Sequence, residues 1–270
     1  MTVNLFVIQD LENCLKSDMG FLDLATNLIF PPKCANCGEL ISMDIRKKHV
    51  DPLCPTCRMH YENEKQIECN VCGLAMNFCR CMPKSMSRAQ CTALLKLVSY
   101  RPQGDDMKIR DFIYSVKDDN NKVAFDFFAE QFRELLILEM RGASLLPSDC
   151  VITYLPRSHK NKANSGFDQG YELAKALSRK TGIELVRCFD RKMGSVEQKN
   201  LNTYERRLNM KSAYKTRDVE DKIKDKTLIL VDDIVTTGSS MASCARIAYS
   251  MGAYAVMGVA LGYTEKINKK

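Results

Sequence analysis

A chain of 270 residues, 45% apolar and 27% charged, has the balance of an ordinary folded protein and the length for one large domain, alone or with a small module. No uninterrupted apolar run reaches the roughly 18 residues of a membrane span, and the opening of the chain lacks the basic start and apolar block of a secretory signal, so a cytoplasmic protein without membrane insertion is expected. The formal net charge of +7 is uneven: residues 1–90 carry 10 Lys/Arg and 10 Asp/Glu, whereas residues 157–217 carry 15 and 6, a local +9 that either draws a polyanion or forms a solvated face.

In chain order, residues 1–30 read as an N-terminal helical segment, 31–90 as a cysteine-rich module and 91–270 as the large domain. Eight of the 13 cysteines fall in the module. Cys34, Cys37, Cys54 and Cys57 form two Cys-x-x-Cys turns of zinc-ribbon spacing, in which both thiolates of each tight turn point at one ion. Cys69, Cys72, Cys79 and Cys81 make a second, tighter set, because only Arg80 separates its last pair. One or two structural zinc ions are therefore expected. Four thiolates leave zinc no open position, so the module holds structure and performs no chemistry. His49 and His60 are near enough in sequence to replace a ligand and are expected at the surface. The scattered cysteines, Cys244 clearest among them, read as small buried apolar residues.

Past residue 92, "ALLKLVSY" (93–100) reads as a strand. "VAFDFFAEQFRELLILEM" (123–140) reads as a helix with Ala124, Phe127, Phe128, Phe132, Leu135 and Leu138 on one face. A strand at 151–156 and a helix at 167–182 ending on Gly182 follow, then strands at 183–186 and 227–231. A helix from about Ser239 to Met251 buries Met241, Cys244, Ala245 and Ala248, stops at Gly252 and leads into the strand 254–261. Strands apolar on both faces that alternate with amphipathic helices predict an α/β fold, a parallel sheet flanked by helices.

"LILVDDIVTTGSS" (228–240) stands out in this pattern. Ligands of open α/β sheets bind beyond the carboxyl ends of the strands, where Thr236, Thr237, Gly238, Ser239 and Ser240 offer hydroxyls and backbone N–H groups at a helix N-terminus, a phosphate site. Asp232 and Asp233 beside it predict a ligand that also donates hydroxyls, as a ribose does. The stretch is neither a Walker A loop nor a Gly-x-Gly-x-x-Gly turn.

This stretch resembles the phosphoribosyl-pyrophosphate loop of type I phosphoribosyltransferases. The resemblance assigns Asp232 and Asp233 to the ribose hydroxyls, and Thr236, Thr237, Gly238, Ser239 and Ser240 to the 5-phosphate. With "LIFPPKCANCG" (28–38), "LPRSHKNKANSGFDQGYELA" (155–174) and "SVEQKNLNTYERRLNMKSAY" (195–214), the chain from about residue 20 onward is similar to the ComF (competence protein F) family. That family joins a cysteine module to a phosphoribosyltransferase-like domain and acts in natural transformation. The family's last segment is matched by Gln198, Leu201, Arg206, Asn209 and the aromatic Tyr214. Two positions depart from the pattern: Ser165 stands for the arginine before Gly166, and Asp168 for the asparagine after Phe167.

The resemblance implies binding of phosphoribosyl pyrophosphate with Mg²⁺, and transfer of ribose 5-phosphate to a nitrogen base. Arg157, Lys160 and Lys162 would serve the pyrophosphate half, and Arg206 and Asn209 a loop closing over the site. It also implies single-stranded DNA and a competence helicase as partners. A non-enzymatic competence factor with a regulatory phosphate ligand and a nucleotide-salvage enzyme are the competing readings.

Overall fold

The computed structural model describes residues 31–41, 51–100, 122–156, 168–191 and 213–264. Five strands form one sheet in the order β1-β7-β6-β2-β3, with β1 at Leu94–Ser99, β2 at Cys150–Tyr154, β3 at Glu184–Leu185, β6 at Thr227–Val235 and β7 at Ala255–Tyr263. Every pairing in it is parallel. Each residue of β1 and β2, and the start of β6 through Val231, is buried, as expected of a parallel sheet covered on both faces. The fold is therefore the α/β sheet flanked by helices that the alternating pattern predicts.

One face is covered by α3 (Lys122–Gly142) and α4 (Gln169–Thr181), and its core includes Phe128, Phe132, Leu136 and Leu177. The other is covered by α6 (Ser239–Ser250), the short helices α2 (Lys84–Arg88) and α5 (Glu220–Ile223), and an antiparallel pair, β4 (Phe189–Arg191) with β5 (Tyr214–Thr216). Both α4 and α6 follow their sequence signals. Gly182 takes the left-handed conformation that ends α4, and Met241, Cys244, Ala245 and Ala248 are buried on α6.

Three details differ from the sequence reading. On α3, Leu138 is 55% exposed, while Phe125, Ala129, Leu136 and Met140 are buried. The stripe through 125, 128, 129, 132, 136 and 140 keeps better helical spacing, and Leu138 falls off it. The short pair β4–β5 has no strand-length apolar run to announce it. The third difference bears on function. The segment carrying the acid pair is not a loop after Val231: β6 continues to Val235, because the equally long β7 supplies partners for Asp232 (Ala260), Ile234 (Gly262) and Val235 (Tyr263).

The cysteine-rich segment lies on the large sheet assembly rather than apart from it. Tyr61 of α1 (Pro55–Lys65) is buried with its ring edge-on to Phe127 and Phe128, at centroid distances of 5.3 and 6.1 Å. Arg58 stacks 4.5 Å from the Phe127 ring centroid, and Lys65 Nζ donates to Gln131 Oε1 at 2.7 Å. Cys34, Cys54 and Cys57 thus share one continuous core with α3, α4 and the sheet. No helix among the described residues is long and apolar enough to cross a membrane.

Candidate ligand loop and metal centres

The strand order creates the site. From β2 the chain moves outward to β3, and from β6 it moves outward in the other direction to β7, so the sheet's switch point lies between the neighbouring strands β2 and β6. Crevices at such points, beyond the carboxyl ends of the strands, are where ligands bind in open α/β sheets. Tyr154, the last residue of β2, pairs with Val231, and the Leu155 N–H donates to the Val231 carbonyl at 3.0 Å. Asp232 and Asp233 therefore rise past the end of β2 into this crevice, and the chain after Pro156 leaves from the same place. The first turn of α4 also comes close: a Cβ on Gly170 would lie 3.5 Å from the Leu155 carbonyl oxygen and 3.6 Å from that of Val231.

Both aspartates are half-buried. Asp232 Oδ1 accepts from the Asp233 N–H at 2.9 Å, and Asp233 Oδ1 accepts from the Ile234 N–H at 2.8 Å. Each carboxylate is thus anchored to the backbone through its Oδ1. Beyond them the turn Thr236–Gly238 opens α6. Thr236, Thr237, Ser239 and Ser240 are exposed, and the Thr237 and Ser239 hydroxyls are hydrogen-bonded at 2.9 Å. With Asp232 and Met241 these residues line a cleft of about 50 Å³, room for a phosphate-sized anion at the helix N-terminus.

Gly238 is required twice over. It caps α6 in the left-handed region at φ 67°, and a Cβ there would lie 2.8 Å from Met86 Cγ. Tyr214 of β5 is buried and shares a hydrogen bond with the Ser240 hydroxyl; burial, ahead of that bond's opposing effect, raises its phenol above the usual range. The Arg191 guanidinium lies 5.8 Å from the Tyr214 ring centroid. The β4–β5 pair therefore borders the candidate phosphate loop, and Arg206 and Asn209 belong to the connection between these two strands. Arg206, Asn209 and Arg157, like Lys160 and Lys162, lie outside the described residues.

All eight cysteines of the module are brought together as their spacing predicts, Cys34, Cys37, Cys54 and Cys57 in one group and Cys69, Cys72, Cys79 and Cys81 in the other. Within each group the sulfurs all lie within 4.8 Å of one another. A tetrahedron with zinc–sulfur bonds of about 2.3 Å has edges of roughly 3.8 Å. Cys37 Sγ and Cys54 Sγ stand 3.7 Å apart.

The two groups also repeat one device. In each, a Cys-x-x-Cys-Gly turn carries a left-handed glycine (Gly38, φ 74°; Gly73, φ 71°) that bonds back to the first cysteine's carbonyl at 2.9 Å, with a bridge closing the turn (Lys33 to Leu40; Glu68 to Ala75). N–H donors face sulfur from Asn36 to Cys57, Val71 to Cys69 and Cys81 to Cys79. The second set, despite its tight last pair, is as well formed as the first, and both fit zinc. His60 lies in a cleft beside the first group but is not one of its four ligands, and His49 lies outside the described residues.

Crowding divides the thiols. Burial pushes Cys57 and Cys81 up to about 11. Cys34 is raised by burial but lowered further by hydrogen bonds from nearby backbone N–H groups, settling at about 7. Full ionisation of each set therefore needs a cation among the sulfurs.

The sequence reading missed Lys96. This residue of β1 is fully buried, and its ammonium donates to the Cys79 carbonyl at 3.1 Å and the Cys81 carbonyl at 2.6 Å, with the Tyr263 ring centroid 5.3 Å away. Among the described residues no carboxylate pairs with it. A buried cation needs compensation, and a zinc held by the four thiolates would carry two negative charges where Lys96 points. The signal was a lone lysine inside the apolar run "ALLKLVSY". Lys96→Met is expected to weaken zinc retention by the second group at least about tenfold, since hydrogen bonds from charged donors contribute roughly 1.5 to 3 kcal/mol each. Metal analysis after timed exposure to a chelator, with circular dichroism to monitor folding, measures this.

No family model and no curated protein match the chain. Among solved structures, a purine phosphoribosyltransferase from Pyrococcus horikoshii Ot3 is similar at 16% identity and a TM-score of 0.27, over 52% of this chain and 81% of that one. A likeness of that size decides nothing about activity.

Proposed function

We propose that this chain is a ComF-like protein that binds phosphoribosyl pyrophosphate in the crevice between β2 and β6, stabilised by two structural zinc ions. The observation that carries the reading is the joint placement of Asp232–Asp233 and the Thr236–Ser240 turn at the carboxyl end of β6, beside the end of β2 at the switch point. A phosphate at the start of α6 leaves an attached ribose near the two carboxylates, whose oxygens accept from its hydroxyls.

In transfer, a nitrogen nucleophile forms the bond to ribose C1 as the bond from C1 to the pyrophosphate oxygen breaks. Mg²⁺ bound to the ligand would supply charge neutralisation for the leaving group. The chain's own contribution is to hold the 5-phosphate and ribose so that C1 is presented to the base. In the basic stretch 157–217, Arg157, Lys160 and Lys162 supply cations for the pyrophosphate half, and Arg206 and Asn209 belong to a loop that closes over the site. Incubation of the protein with phosphoribosyl pyrophosphate, Mg²⁺ and a panel of nucleobases tests transfer through pyrophosphate release. Release that depends on one base supports a transferase, and ligand binding without release supports a regulatory or structural ligand in a competence factor. A nucleotide-salvage enzyme would give base-dependent release too, but assigns no task to the cysteine segment, and a transformation assay of a deletion strain separates it from the competence role.

The local +9 of residues 157–217 favours single-stranded DNA as a further partner; a helicase of the competence machinery alongside it is what the resemblance to the ComF family implies. Binding to a single-stranded oligonucleotide is expected to fall steeply with salt, and to be lost on changing Lys160, Lys162, Arg206 and Arg207 to Glu. Fluorescence anisotropy across a salt series checks this, and undiminished binding by the folded variant would make the stretch a solvated face.

A further inference from the structure

The stretch between the second cysteine group and β1 contributes to the candidate phosphate loop. Only Met82 and Pro83 separate Cys81 from α2. The Ser85 hydroxyl on α2 donates to the Thr237 carbonyl, a contact across 152 positions of sequence. Gly238 is in close approach to the same helix, since a Cβ there would meet Met86 Cγ at 2.8 Å and both Pro83 Cγ and Ser85 Oγ at 3.0 Å. Met86 is fully buried, and its Cε would lie 3.0 Å from a Cβ on Gly258 in β7. Thus α2 is wedged between the sheet and the turn that opens α6.

The other end of this stretch is equally fixed. The Cys79 and Cys81 carbonyls accept from Lys96 of β1, and Arg80 Nε donates to Glu139 Oε2 of α3 at 2.9 Å. Cys79 and Cys81 are therefore joined through two residues to α2, and α2 is in contact with the loop.

We propose that the second cysteine group and the Thr236–Ser240 loop are thermodynamically linked through α2, with Ser85 as the positioning residue at the joint. Because a trans peptide is planar with its C=O and N–H on opposite sides, fixing the Thr237 carbonyl toward Ser85 aims the Gly238 N–H away from α2. Ser85 thereby sets the direction of a backbone donor in a loop whose proposed ligand is a phosphate. Zinc in the second group holds α2 in register for this bond. By linkage, a phosphate ligand in the loop must then strengthen zinc retention by the factor that zinc strengthens ligand binding.

The inference rests on the loop's reading as a phosphate site, and the experiment separates the two. The zinc-loaded full chain and its Ser85→Ala and Ser85→Thr variants are titrated calorimetrically with inorganic phosphate and with phosphoribosyl pyrophosphate plus Mg²⁺. Zinc release to a colorimetric chelator is then timed with and without each ligand. Ser85→Ala is expected to bind both ligands about three- to tenfold more weakly while keeping its full zinc content, and Ser85→Thr, which keeps the hydroxyl, to restore affinity. Ligand should slow one of two zinc-release phases in the parent, and this slowing should vanish in Ser85→Ala. If the parent binds ligand but zinc release is indifferent to it, or Ser85→Ala binds as tightly as the parent, the linkage is overturned and the phosphate loop stands. If the parent binds neither ligand, both fall.

Discussion

Changing Asp232 and Asp233 together to Asn is expected to weaken binding of phosphoribosyl pyrophosphate by at least about tenfold and to leave binding of inorganic phosphate nearly unchanged. Each hydrogen bond from a ribose hydroxyl to a charged acceptor contributes roughly 1.5 to 3 kcal/mol, and about 1.4 kcal/mol is one decade of affinity. The fold should survive. The bonds from the Asp233 and Ile234 N–H groups to Asp232 Oδ1 and Asp233 Oδ1 need only an acceptor oxygen, which an asparagine side chain also provides. The ladder to β7 is made by backbone and is untouched. Calorimetry of parent and variant with both ligands is the check. Equal losses for both ligands would mean that the carboxylates keep the loop's shape and do not read a ribose.

A second large effect is expected at the first cysteine group. Changing Cys34 and Cys37 to Ser should release one zinc per chain and yield insoluble or protease-sensitive protein. Structural zinc binds with an apparent free energy on the order of 10 to 16 kcal/mol, comparable to or larger than the roughly 5 to 15 kcal/mol by which a whole domain is stable. Its loss would be felt throughout, because Cys34, Cys54 and Cys57 lie in the same continuous core as Phe125, Phe128 and Phe132 of α3. The matching change of Cys69 and Cys72 should also release one zinc but act more locally, since Cys69 and Cys79 with Met76 make a separate small core. Metal content and thermal unfolding of the two variants, side by side, measure the contrast. Equal and mild effects would contradict the shared core.

The sequence was most informative where a pattern repeats with a fixed period or spacing. The alternation of buried strands with helices, the two groups of four cysteines, and Gly182 and Gly238 at helix ends are local signals, and each is found where the spacing puts it. The limit of β6 was not legible, because whether a strand stops at Val231 or runs to Val235 depends on the length of β7 beside it, a long-range fact. Phe127 and Leu138 show the same limit: helical period alone does not say that Tyr61, far earlier in the chain, will cover Phe127 while no described residue covers Leu138 to the same extent. Lys96 was visible as an oddity, one charge in a buried strand, but its meaning depends on the Cys79 and Cys81 carbonyls above it. Ser85 carried no signal. A serine in a polar stretch becomes a positioning residue only because the fold brings Thr237 to it.

A crystal of the zinc-loaded chain soaked with phosphoribosyl pyrophosphate and Mg²⁺ tests the central claim most directly. The 5-phosphate is expected in the cleft lined by Thr236 to Ser240, accepting from backbone N–H groups at the start of α6, with the ribose hydroxyls donating to Asp232 and Asp233 and the pyrophosphate toward the chain that leaves β2 after Pro156. Ligand density elsewhere on the molecule, or a phosphate in this cleft with the ribose turned away from both carboxylates, would contradict it.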